Sequence, residues 1–370
     1  MQVVIRADAS IQIGTGHVMR CLTLANKLRQ KGAFVQFISR EHPGHLCNHI
    51  EQQGFIVHRL SPPLQPNETN DKKSSYEQWL GVSWELDVEQ TLSALRKTHV
   101  PMDLMIVDHY AIDIKWEQRI RQHVDKIMVI DDLANRGHDC DILLDQNLYE
   151  HMDERYKELV PDRCLQLLGP RYALLREEFR AAQKQAKIRD QAIQRVLVFF
   201  GGSDPTNETE KALQAITLLD EKYITFDVVV GNSNVNREHI EILCSKLPNV
   251  NYYCQINYIA KLMTQADLSI GAGGSTTWER CVLGLPAITI TTADNQMEVT
   301  EAVAKAGAVL YLGHYRNITP ITIADAIKHM LSNPQLLTRM SAASMDLMEK
   351  QPSDSAAGVV EAIYGSQRQK

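Results

Sequence analysis

At two widely separated points an apolar strand opens a fresh α/β run by passing into a glycine turn and then a helix. The first occurrence is Gln2-Val3-Val4-Ile5-Arg6, followed by Ser10-Ile11-Gln12-Ile13-Gly14-Thr15-Gly16-His17. The second is Arg195-Val196-Leu197-Val198-Phe199-Phe200, followed by Gly201-Gly202-Ser203-Asp204-Pro205. A short buried strand, a tight turn and an amphipathic helix form the repeating unit of a parallel α/β sheet. After the first turn, Val18, Cys21, Leu22, Ala25 and Leu28 are spaced for one apolar helix face. After the second, Asp204 is expected as an N-cap with Pro205 at the first helical position. At 370 residues the chain is too long for one typical core. It is therefore expected to form two α/β halves, each opening with a strand and a glycine loop.

Further strands are expected at Ala33–Ile38, Phe55–Leu60, Asp103–Val107, Lys126–Ile130 and Cys140–Leu144. In the second half they are expected at Phe226–Val230, Val250–Tyr253, Ala266–Ile270 and Leu285–Ile290. The expected domains are 1–165 and 195–345, with a connector at 166–194 and a C-terminal helix and tail at 346–370. The connector should carry a charged helix from Leu174 to Arg189. Residues 61–75 are rich in Pro, Asn and Ser and read as a long exposed loop. Long loops are often lids, and Trp79 and Trp84 could cover a ligand, although aromatic packing beneath a loop is the simpler reading.

Composition narrows the function classes. Apolar residues make up 44% and charged residues 23%, as in ordinary globular proteins. The formal net charge of -6 argues against a general nucleic-acid binder. No stretch reaches the length of a membrane span, and the chain opens in a strand, with no signal peptide, so no membrane insertion is expected. The seven cysteines are scattered without a C-x-x-C pair, which fits reduced thiols in a cytoplasmic protein. The thirteen histidines form no H-E-x-x-H cluster, and neither a metal nor a cofactor is expected.

The glycine turns carry the chemistry. Gly14 and Gly16 let backbone approach a ligand closely, and a helix start offers free N–H groups to a phosphate. Such turns occur in every parallel α/β fold, so two glycines alone say little. His17 falls in the first turn of that helix, where a cation is disfavoured, so it is expected to be neutral and suited to act as a general base. Asp108, His109 and Tyr110 follow an apolar strand, at the carboxyl end where open α/β sheets bind ligands. Asp131 and Asp132 read as turn and cap carboxylates. In the second half, Gly271-Ala272-Gly273-Gly274-Ser275-Thr276-Thr277 offers amides and hydroxyls to a diphosphate. Glu279 lies one turn further, where a carboxylate can accept both hydroxyls of a ribose. Thr276-x-x-Glu279 also has the spacing of a capping box. Asn295 and Gln296 leave another strand end.

Gly273 to Arg280, followed by Gly284-Leu285-Pro286 and Asp294-Asn295-Gln296, resembles nucleotide-sugar enzymes of the GT-B fold. Arg6-Ala7-Asp8, Ile13 to His17, Val107 to Tyr110 and Ala173 to Phe179 narrow the likeness. Together they resemble the UDP-2,4-diacetamido-2,4,6-trideoxy-beta-L-altropyranose hydrolases of pseudaminic acid biosynthesis. That family resembles the lipid-linked peptidoglycan N-acetylglucosaminyltransferase in fold. The resemblance implies two Rossmann-like domains facing across a cleft, with the sugar against the first and UDP in the second. It implies that His17 activates water, with Tyr110 and Asn295 as further catalytic residues. Substrate and UDP contacts are expected at Arg6, Gly14, Thr15, Gly16, Arg176, Gly202, Ser203, Gly274, Ser275, Thr276, Glu279 and Gln296.

On this expectation the partner is a small UDP-sugar. Water attacks the anomeric carbon, UDP leaves with inversion, and the helix starts at Gly14–Gly16 and Gly273–Thr276 spread the separating charge. A GT-B glycosyltransferase, with an acceptor hydroxyl in place of water, is the nearest alternative. A non-catalytic nucleotide-sugar sensor is another.

Overall fold

The computed structural model describes residues 1–63, 76–98, 100–219, 221–349 and 355–367. Residues 64–75 of the expected long loop lie outside this set. The chain divides into two compact units, one built from residues 1–147, 151–174 and the 355–367 helix, the other from 148–150 and 175–351.

The first unit is a seven-stranded parallel sheet of β1 (Gln2–Ala7), β2 (Phe34–Arg40), β3 (Ile56–Leu60), β4 (Met102–Asp108), β5 (Val124–Ile130), β6 (Ile142–Asp145) and β7 (Leu165–Leu168). Their spatial order is β3-β2-β1-β4-β5-β6-β7. Its helices are α1 (Gly16–Gln30), α2 (Cys47–Gln52), α3 (Trp84–Lys97) and α4 (Ile114–Ile120). Strand alternation explains the two cores. Val3 and Ile5 pack with Val18, Leu22, Ala25 and Leu28 of α1. Val4 faces the other way, into a core with Val88 of α3 and Trp116 of α4. Ser83 caps α3, its hydroxyl accepting from the Leu86 amide.

The second unit begins with α5 (Glu177–Gln183) and holds a six-stranded parallel sheet. Its elements are β8 (Arg195–Phe199), α6 (Glu208–Thr217), β9 (Thr225–Val230), α7 (Arg237–Ser245), β10 (Val250–Cys254), α8 (Ile259–Gln265), β11 (Leu268–Ala272), α9 (Thr276–Val282), β12 (Ala287–Thr291), α10 (Met297–Lys305), β13 (Val309–His314), α11 (Pro320–Leu331) and α12 (Pro334–Glu349). The strand order is β10-β9-β8-β11-β12-β13. Val196 and Val198 pack against Ala212 and Leu213 of α6, Ile240 of α7 and Ile323 and Ile327 of α11. The last helix, α13 (Ser355–Gln367), returns to the first unit and buries Val359, Val360 and Ile363 in the α1 core. Among the described residues, no helix is long and apolar enough to cross a membrane.

Three local expectations differ from the structure. Within the stretch expected as a connector, Leu165–Leu168 forms β7, pairing with β6. The charged helix is confined to Glu177–Gln183, because Arg176 is extended (φ -60°, ψ 149°) and the Leu174 amide is tied to the Gln146 side chain at 3.0 Å. The helix after β8 begins at Glu208, not Pro205. Asn207, not Asp204, is its N-cap residue, and the Asp204 carboxylate reaches over to accept from the amides of Glu208 (3.0 Å) and Thr209 (2.8 Å).

Candidate active site

In the first unit, β1 pairs with β4 so that Ala7 lies beside Asp108. The segments leaving these strands therefore share one rim of the sheet. After β1 the chain turns at Gly14, whose φ of +79° favours glycine and whose amide donates to Ser10 O at 2.9 Å. Thr15 is the N-cap of α1 without a side-chain cap bond, and Gly16 is the first helical residue. His17 follows on the first turn and is 7% exposed.

Its Nδ1 lies 2.5 Å from Asp108 Oδ1. Arg20, one turn along α1, grips the same carboxylate with Nε (2.7 Å to Oδ2) and Nη2 (2.7 Å to Oδ1). Burial opposes the charge on Asp108, but Arg20 and His17 outweigh it and hold the carboxyl well below the usual range. An ionised carboxylate only accepts, so Nδ1 carries the proton of this bond. Nε2 of His17 makes no hydrogen bond among the described residues.

Tyr110 stands edge-on to His17, with ring centroids 4.6 Å apart. Its hydroxyl donates to Asp132 Oδ1 at 2.5 Å, and Asp132 also accepts from Arg20 Nη1 (3.2 Å) and Asn147 Nδ2 (3.2 Å). Burial and then the Asp132 carboxylate raise Tyr110 well above the usual phenol value, so it stays a donor. Asp132, expected as a turn carboxylate, instead links Tyr110 to Arg20. Asp131 does close a turn, accepting from the Ala134 amide at 2.9 Å.

Arg6 is a correction. It is fully buried, and its guanidinium is spent on Asp8 (2.6 and 2.8 Å) and Asp87 (2.8 Å). Strand alternation turns it, like Val4, toward α3, which carries Asp87 in its first turn. It therefore braces the sheet against that helix and has no exposed surface to offer a substrate. His109 likewise points to Asp8, 3.4 Å away, and not to His17.

In the second unit β8, β11 and β12 are neighbours, so the loops after them share one rim. The loop after β8 contains Gly202 and Ser203, with the Gly202 carbonyl accepting from Ser233 Oγ at 3.2 Å. The loop after β11 is drawn tight. A Cβ on Gly273 would meet Thr300 Oγ1 at 2.2 Å. Gly274 lies beside Gln296, whose Nε2 is 3.8 Å from where its Cβ would be. Gln296 in turn closes the loop after β12, its Oε1 accepting from the Thr292 amide at 2.9 Å. Asn295 sits in the same short 3-10 turn, Asp294–Gln296.

Ser275, the N-cap of α9, and Thr276, its first residue, open the helix without a side-chain cap bond. The capping box is therefore not formed. Glu279 Oε1 accepts from Arg176 Nε at 2.9 Å, and Arg176 also pairs with Glu178 at 2.8 Å. Burial opposes the charge on Arg176, and Glu279 and Glu178 together raise it. Glu279 Oε2 makes no hydrogen bond among the described residues. Arg176 thus fixes one carboxylate oxygen and leaves the other open.

The crystal structure of Acinetobacter baumannii MurG superposes with a TM-score of 0.64 at 17% identity, covering 98% of this chain and 99% of that one. The fold is GT-B. Residues 196–357 match the Glycosyltransferase family 28 C-terminal domain, so the glycine loop at 271–276 lies in the GT-B half that this family model describes. The UDP-2,4-diacetamido-2,4,6-trideoxy-beta-L-altropyranose hydrolase of Campylobacter jejuni is 28% identical over 83% of this chain and 97% of its own length. An uncharacterized protein of Methanocaldococcus jannaschii is 25% identical over 80% of this chain, which spans only 57% of that protein.

The structure brings His17 and Tyr110 together in one GT-B unit, and Glu279 with Arg176, and Gly274 with Gln296, in the other. Sequence reasoning missed Arg20, beside His17 on Asp108, and Asp132, which accepts from Tyr110 and Arg20. A signal existed for Arg20, since residues three apart on a helix share a face and Arg20 follows His17 at that spacing.

Proposed function

We propose that this chain hydrolyses a UDP-linked diacetamido-trideoxyhexose at its anomeric C–O bond, with inversion, releasing UDP and free sugar for pseudaminic acid biosynthesis. The observation that carries the reading is the Asp108–His17 pair. Asp108 holds the Nδ1 proton of His17, and Nε2 is left to take a proton from water. The water oxygen bonds to the anomeric carbon, the C–O bond to the diphosphate breaks, and UDP leaves with that electron pair. Tyr110 and Asn295 position sugar or water. The loops at Gly202–Ser203 and Gly274–Thr276, with Gln296, hold the diphosphate, and Glu279 receives the ribose hydroxyls. In the first unit, Gly14, Thr15 and Gly16 approach the substrate as backbone. The likeness to the Campylobacter jejuni hydrolase over nearly its whole length supports this reading. Seven unpaired cysteines support a reducing, cytoplasmic setting.

A glycosyltransferase is the second reading, favoured by the family 28 domain. One assay separates them. The protein is incubated with the UDP-sugar and free UDP is measured with and without candidate acceptors. Acceptor-independent release supports the hydrolase, and strict acceptor dependence supports the transferase. Tight binding without release would instead indicate a sensor.

A further inference from the structure

The buried arginines of the first unit are matched by carboxylates: Arg6 by Asp8 and Asp87, Arg20 by Asp108 and Asp132, and Arg40 by Asp87. In the second unit, buried Arg189 forms no ion pair among the described residues, yet it donates to the carbonyls of Lys187, Met263, Thr264, Ala266 and Leu283. Those oxygens include the carboxyl ends of α8 and α9, where a cation is favoured. Arg280 has much less of either: one carbonyl, and no ion pair among the described residues. It is 1% exposed and forms no ion pair among the described residues, and its Nε and Nη1 find no hydrogen-bond partner there. Only Nη2 is engaged, with Ala272 O at 2.9 Å and Thr277 Oγ1 at 3.1 Å.

The position of this charge is specific. Arg280 reaches back from α9 to the end of β11, and Ala272 opens the Gly273–Gly274–Ser275 loop. A Cβ on Gly271 would come within 2.8 Å of Arg280 Nη1 and 2.4 Å of Phe199 O. Gly271 thus keeps open the space that the guanidinium fills. Burial pushes Arg280 down to about 10, opposed only in part by the charges of Cys281 and Glu279, neither of which forms an ion pair with it among the described residues. A buried cation is costly unless an opposite charge balances it.

We propose that Arg280 is a fixed counter-charge for a nucleoside diphosphate at the Ala272–Ser275 loop, acting from beneath the loop as a positioning residue. It holds the Ala272 carbonyl and so sets the loop, and its charge is balanced when the diphosphate arrives. The inference rests on the reading of this loop as the diphosphate site.

Calorimetry on the full chain tests it, with UDP titrated directly and uridine measured by competition. Arg280→Met should weaken UDP by about tenfold or more while changing uridine less than about twofold, because only the charged ligand feels the charge. Arg280→Lys should recover most of the loss. Arg280→Gln keeps a donor for Ala272 O without the charge, and it carries the comparison if Arg280→Met does not fold. Equal losses for UDP and uridine would reduce Arg280 to a structural role and overturn the inference. Unchanged UDP affinity in a folded variant would do the same. A wild-type chain that binds no UDP overturns the diphosphate reading itself, and the inference with it.

Discussion

His17 Nδ1 and Asp108 Oδ1 stand 2.5 Å apart, and the same carboxylate is held through both oxygens by Arg20. This arrangement fixes the ring of His17 and leaves Nε2 without a hydrogen bond among the described residues. In the proposed mechanism Asp108 and Arg20 are positioning residues, and the proton transfer falls to His17.

Replacing His17 by asparagine should lower turnover by about 10²–10⁴-fold, the usual contribution of a general base. UDP affinity should stay close to wild type, since the proposed diphosphate contacts lie in the other unit. Steady-state kinetics and calorimetry on the purified variant check both. Near-normal turnover would remove His17 from the mechanism.

Asp108→Asn should lower both turnover and stability, because it leaves Arg20 and His17 without their buried partner. Breaking such a pair costs about 3–5 kcal/mol. The sign of the pH dependence follows from the direction of the shift. The folded value of Asp108 lies below its ordinary 3.8, so its ionised form stabilises the fold above that pH. That contribution is lost as pH falls below 3.8 toward the folded value. The stability gap between wild type and variant, from urea unfolding, should shrink as pH falls below about 4. A gap that goes on widening below about pH 4 would contradict the ion pair.

Much of this was legible in the sequence, and the failures have distinct causes. His17 and the glycine turns declared themselves, because a strand, a turn and a helix leave a strong local pattern. The bond between His17 and Asp108 did not. It depends on β1 lying beside β4, and strand order is a matter of chain crossover that no local period encodes. Arg6 was expected as a contact from the family resemblance alone, and strand alternation turns it toward Asp87 on α3. Glu279 had the spacing of a capping box, but a charge-assisted bond from Arg176 claims the carboxylate instead. Four residues were too few for β7 to stand out against its surroundings.

Glu279→Gln should weaken UDP binding more than it slows turnover at saturation. Arg176→Met should weaken UDP binding too, by freeing Glu279 to rotate, and adding it to Glu279→Gln should cost little more. A double-mutant cycle by calorimetry measures this coupling. Additive losses would separate Arg176 from the ribose contact, and unchanged UDP affinity in Glu279→Gln would leave the carboxylate a purely structural role.

The site of water attack can be read from the oxygen it delivers. A base in the unit assigned to the sugar implies attack at the anomeric carbon, not at phosphorus. Turnover in oxygen-18 water, with prompt mass analysis before the free sugar exchanges, should label the sugar and leave UDP unlabelled. Early NMR spectra should show the inverted anomer before mutarotation. Label in the phosphate product would overturn the mechanism.

Helix α13 gives the first unit an unusual biography. Val359, Val360 and Ile363 complete a core whose other members were all made before residue 175. A ribosome that has finished every strand of the first sheet still holds back the helix that seals the flank of α1. The second unit, nearly continuous in the chain, is released whole before that helix appears. The half that carries His17 is thus begun first and closed last, and a fragment ending near residue 174 would leave that apolar flank bare.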